Sequence, residues 1–103
     1  MPPDRPKIVL VASNDDPDRV DEIVARLRRA GVAAYAAHSS GGCLRVATSI
    51  GPDLVLLDPS LPKRVERLLR AHPTSAKARI LRLSEDSLRE ASPSLGPVAP
   101  APA

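Results

Sequence analysis

The residues best suited to chemistry lie at two polar junctions. Asp58 closes an unbroken apolar run, Leu54-Val55-Leu56-Leu57, and is followed by Pro59-Ser60-Leu61-Pro62. Earlier in the chain a second apolar run, Lys7-Ile8-Val9-Leu10-Val11-Ala12, breaks at Ser13-Asn14-Asp15-Asp16. Carboxylates at two such junctions suit coordination of a hard divalent cation, which takes oxygen ligands. They also suit nucleophilic attack by a carboxylate, provided that charge on the electrophile is neutralised. The alternative without chemistry is an aspartate that caps a loop beside Pro59.

Both junctions need elements that bring them together. A run apolar on both faces reads as a buried strand of a parallel sheet, with helices covering both sides. Between the first and third runs the chain signals two helices. Asp16 can cap the first, Pro17 suits its first position, and Asp18 adds negative charge to its first turn. Val20, Ile23, Val24 and Leu27 form one apolar stripe, Arg26, Arg28 and Arg29 crowd the end, and Gly31 stops it. Val32 to Ala37 is a weak second strand, and His38 to Gly42 is a turn with serines that can cap. Cys43, Val46, Ala47 and Ile50 repeat the helical spacing up to Gly51-Pro52.

After Pro62 a short amphipathic helix carries Val65, Leu68 and Leu69 and ends near Ala71-His72-Pro73. Ala78 to Ser84 reads as a fourth strand, and Glu85 to Ala91 as one or two helical turns. The order β-α-β-α-β-α-β predicts an α/β fold with a parallel sheet in the order 2-1-3-4. Strands 1 and 3 are then neighbours whose connections leave toward opposite sides. The crevice at their carboxyl ends brings Asp15 or Asp16 close to Asp58.

A chain of 103 residues is one domain. We expect a flexible lead at 1–6, a domain at 7–91, and a disordered Pro- and Ala-rich tail at 92–103. The core must be aliphatic, because Tyr35 is the only aromatic residue. Cys43 is the only cysteine, which excludes an intrachain disulfide and suggests a reducing compartment. No apolar run nears the roughly 20 residues of a membrane span, and no signal-peptide core is present. A cytoplasmic protein is expected.

The stretch Pro52-Asp53-Leu54-Val55-Leu56-Leu57-Asp58-Pro59-Ser60-Leu61-Pro62 resembles the third strand of response-regulator receiver domains of two-component systems. The resemblance covers roughly residues 7 to 84. It extends to the acids before Pro17, to the run from Ser39 to Asp58, to Leu61-Pro62, and to Arg79-Ile80-Leu81-Arg82-Leu83-Ser84. It implies a flavodoxin-like fold in which Asp58 is the phosphoacceptor and Ser84 supplies the hydroxyl that senses the phosphoryl group. It further implies Mg²⁺ held by Asp15, Asp58 and Asp16, and a protein partner such as a histidine kinase or an output protein. Two registers fit the acidic cluster. One puts Asn14 and Asp15 at the metal-binding positions; the other puts Ala12 and Ser13 there. Pro17 and the stripe of the first helix favour the former.

Departures from the family pattern shape the functional expectation. Receivers carry a lysine on a fifth strand that pairs with the phosphate, and no residue here fills that role. The expected fold is therefore truncated after its fourth strand. Arg79 and Arg82 suit an exposed edge strand, where charges hinder uncontrolled pairing. Ile80-Leu81 could otherwise seek a partner edge in a homodimer. Diluted acids and a missing lysine point to a degenerate receiver, a pseudo-receiver acting through protein interaction. The alternative is a working phosphoacceptor that uses Asp58 and Mg²⁺.

Other constellations carry less. His38 and His72 have no neighbouring ligands at metal spacing. Cys43 reads as a small core residue. Ser40-Gly41-Gly42 lacks the following Lys-Ser/Thr of a phosphate loop, and Ser13, Ser39 and Ser84 lack a hydrolase elbow. Lys63, Arg64, Arg67 and Arg70 form a basic face without the stacking aromatics of a nucleic-acid binder.

Overall fold

Burial on both faces sets the centre of the sheet. The computed structural model describes residues 8–84 and 86–88. In it β1 (Ile8–Ala12) and β3 (Leu54–Leu57) lie side by side. Val9, Leu10, Val11, Leu54, Val55 and Leu56 are all buried. β2 (Ala33–Ala37) pairs with the free side of β1, and β4 (Arg79–Arg82) with that of β3. All pairs are parallel, in the order β2-β1-β3-β4. Among the described residues the fold is thus α/β with a four-stranded parallel sheet.

Side-chain alternation along the strands divides the core in two. Val9, Val11, Leu54 and Leu56 pack with Val20, Ile23, Val24 and Leu27 of α1 (Pro17–Arg29) on one face. Leu10, Ala12 and Val55 pack on the other with Cys43 and Ala47 of α2 (Ser40–Ile50) and Val65 and Leu69 of α3 (Lys63–Ala71). The caps follow the expected chemistry. The Arg19 amide donates to Asp16 at the start of α1, and the Gly42 amide to Ser39 at the start of α2. Gly51 ends α2 in the left-handed conformation, at φ 59°, which a side chain would strain.

Some boundaries move. β4 covers Arg79–Arg82 rather than 78–84, because Ala78 still donates to Ser75 in the preceding turn and Ser84 opens the next one. Val32 closes the end of α1 through Leu27 and does not join β2. Residues 86–88 are helical, and Leu88 joins the α1-side core. The lead at 1–6, the tail at 92–103 and the remaining turns expected between 85 and 91 lie outside the described residues. No helix among those described is long and apolar enough to cross a membrane.

At the amino ends of the strands Asp53 ties three of them together. Its carboxylate accepts from the Ile8 amide at 2.9 Å, its amide donates to Ile8, and its carbonyl accepts from Arg79. Cys43 is fully buried, and burial pushes its thiol up to about 11. Ionisation at neutral pH, which thiol reactivity requires, is thereby suppressed. Arg79 and Arg82 are exposed, while Ile80 and Leu81 are half-buried against opposite cores.

Leu56 tests the centrality of β3. Leu56→Ala should lower the unfolding free energy by roughly 2–5 kcal/mol, through lost burial and a residual cavity. Urea unfolding measures this, and a loss well below that range would mean that β3 is not central.

Candidate functional site

The sheet register brings the two polar junctions together at the carboxyl ends of β1 and β3. Ala12 lies opposite Leu57, and the Asp58 amide donates to the Ala12 carbonyl at 2.9 Å. The next residue on each strand, Ser13 and Asp58, therefore faces its counterpart across the end of the sheet. Ser13 is buried and Asp58 is half-buried.

Asp58 first folds its own loop. Its carboxylate accepts from the Ser60 amide at 3.0 Å, the two-residue turn that aspartate favours. That turn carries the Ser60 side chain back over the carboxylate. The Ser60 hydroxyl accepts from the Asn14 amide at 3.0 Å and lies 3.4 Å from the Ser13 hydroxyl. The Ser13 hydroxyl in turn accepts from the amides of Asp15 and Asp16, each at 3.3 Å. Both serine hydroxyls favour the charged form of Asp58. The result is a relay: three successive backbone amides donate to two hydroxyls, and both hydroxyls favour the charged form of one carboxylate. Such chains polarise their members and strengthen them.

The electrostatics of Asp58 follow from this relay. Burial pushes its carboxyl up, but hydrogen bonds from the Ser60 hydroxyl and amide and from Ser13 outweigh that, aided by the Arg19 guanidinium. Together they hold it below the usual aspartate range. Asp58 is an ionised carboxylate that accepts from the Ser60 amide of its own loop. Beside it a cleft of about 220 Å³ runs between the start of α3 and β4, with Lys63, Glu66 and Arg82 on its walls.

The expected metal ligands do not assemble. Among the described residues no group of three or more His, Cys, Asp and Glu side chains could hold a metal ion. Asp16 holds the Arg19 amide as the cap of α1, and Asp15 is exposed. The physical reason is the register: β1 extends through Ala12, so Ser13 stands beside Asp58 and the acids fall on the loop beyond it. The residues present do not fit a Mg²⁺ shared by Asp15, Asp16 and Asp58.

Ser84 is likewise engaged elsewhere. Its hydroxyl accepts from the Ser87 amide at 3.2 Å, while the Ser87 hydroxyl accepts from the Ser84 amide at 2.8 Å. This reciprocal pair caps the helical turn at 86–88. Of the expected site residues, then, Asp58 sits at the strand end as read, while the side chains of Asp16 and Ser84 accept from local backbone and Asp15 is exposed. The residues that touch Asp58, Ser13 and Ser60, were not among the expected site residues. Their signal was a serine directly after one strand and another two residues after the aspartate.

A scan against protein-family models finds no match, and searches of curated proteins and of solved structures find none either.

The depressed Asp58 sets a pH dependence. A carboxyl that is more acidic folded than unfolded stabilises the fold above the unfolded value of about 4, and this contribution fades as pH falls through the folded value. Asp58→Asn should be less stable than the parent at neutral pH, with the gap closing below about pH 4. Urea unfolding across pH reads the gap; a constant gap would contradict the relay.

Proposed function

We propose that the chain is a receiver-like module of flavodoxin-like fold that acts through protein interaction, with Asp58 at the phosphoacceptor position serving as a structural clasp. The observation that carries this reading is the seating of Asp58 across the sheet end from Ser13, with its carboxylate accepting from the Ser60 amide and turned toward its own loop. In the register of the receiver resemblance that puts Ala12 and Ser13 at the metal-binding positions, no carboxylate stands at the end of the first strand. The Ser13 hydroxyl there favours the charged form of Asp58. A carboxylate pair would instead repel Asp58 unless a cation bridged them. The same substitution removes both the need for the ion and the means of holding it.

On this reading the scaffold is kept for its surfaces. The partner is a signalling protein such as a histidine kinase or an output protein, and the setting is cytoplasmic. The second reading, a working phosphoacceptor, draws on one observation: Asp58 is half-buried rather than sealed, and its depressed carboxyl is ionised, as attack on a phosphoryl group requires.

Amide NMR with added Mg²⁺ and then beryllofluoride, a phosphoryl mimic, separates the two. A well-dispersed spectrum should show no change at Asp15, Asp58 or Ser84. Shifts at these residues that vanish in Asp58→Asn would establish the phosphoacceptor and overturn the clasp.

A further inference from the structure

Leu68 is out of place for a residue on a packed helix. Its neighbours Val65 and Leu69 are buried, but Leu68 is 47% exposed. It lines a groove of about 370 Å³ between α2 and α3, together with Leu44, Arg45, Thr48 and His72. Leu44 is half-buried and rests on the core below. The groove therefore has an apolar strip formed by two leucines from two helices. Arg64 lies one turn before Leu68 on the same side of α3.

Charge distinguishes this face from the opposite one. α2 and α3 carry five cations, Arg45, Lys63, Arg64, Arg67 and Arg70, and one carboxylate, Glu66. Glu66 is already held by Arg70, at 3.0 and 3.2 Å. On the other face α1 interleaves Asp18, Asp21 and Glu22 with its four arginines. The chain's formal net charge is +3, so the α2–α3 layer, at +4, exceeds the surplus of the whole molecule.

We propose that the groove between α2 and α3 docks an acidic amphipathic helix of a partner protein. An amphipathic helix lays its apolar face into a groove of this kind and presents flanking side chains to the rims. Leucines would cover Leu44 and Leu68, and glutamates or aspartates would meet Arg45 and Arg64. The charges speed encounter and select the partner, while the apolar strip supplies the buried contact. A nucleic acid fits less well. It would use the cations but not the leucines, and the only aromatic residue, Tyr35, lies on β2 and not in the groove. The proposal rests on the chain being an interaction module, but it requires nothing of Asp58.

The test titrates the isotope-labelled chain with a synthetic helical peptide that has leucines at i, i+3, i+4 and i+7 and glutamates flanking them. Its control has the same composition in an order without an apolar face. Amide shifts should concentrate at Leu44, Arg45, Thr48, Leu68 and His72. Affinity should fall by about tenfold in Leu68→Gln and again in Arg45→Glu. Both positions are surface ones, and a dispersed spectrum verifies that each variant folds. Absence of binding, equal binding of the control peptide, or indifference to Leu68→Gln would overturn the proposal. So would an oligonucleotide that occupies this face more tightly than the peptide. Beryllofluoride shifts dependent on Asp58 would sink the pseudo-receiver reading while leaving the peptide result to stand or fall alone.

Discussion

The structure depends on β1 and β3 being buried on both faces and paired in one register. That burial obliges helices to cover both sides of the sheet, with α1 on one and α2 and α3 on the other. It also fixes which residues meet where the strands end. Once Ala12 lies opposite Leu57, the following residues, Ser13 and Asp58, face each other. Shifting the pairing by one residue would send each strand's side chains to the wrong core, so the register has little freedom. The chemistry at the strand ends is inherited from the packing beneath it.

What the packing delivers is a carboxylate that organises a loop. The amides of Asn14, Asp15 and Asp16 follow β1 and have no strand to pair with. They donate to the Ser13 and Ser60 hydroxyls, which favour the charged form of Asp58. One charge thereby anchors both the turn after β3 and the entry to α1. Removing the charge leaves polar groups without their best acceptor, which costs more than an exposed ion pair contributes. On the proposed reading the chain keeps this acidic residue for order at the crevice, and recognition falls to the basic, leucine-bearing face of α2 and α3.

Much of this was legible in the sequence. The apolar runs located β1 and β3, the stripes of α1 and α2 gave their buried faces, and Asp16 and Gly51 marked helix ends. The strand order followed from the alternation of elements. The site was legible only in part. Asp58 stood out because a charge after four apolar residues is conspicuous. The acids at 15 and 16 drew attention by type, yet type does not say how far a strand runs. One further residue in β1 sets Ser13 in place and moves the acids out of reach. Ser84 is ambiguous for the same reason, since a serine after a strand can serve the backbone of the next turn as readily as a site. Ser60 and the Asp53 staple were missed because their roles depend on contacts between residues more than 40 positions apart.

The most direct test is the titration of the Asp58 carboxyl itself, followed by carbon-detected NMR with and without Mg²⁺. A midpoint below the ordinary aspartate value of about 4, unmoved by Mg²⁺, is the result that the clasp predicts. A midpoint at or above that value would contradict the clasp, and one that Mg²⁺ shifts downward would return Asp58 to the chemistry of a phosphoacceptor.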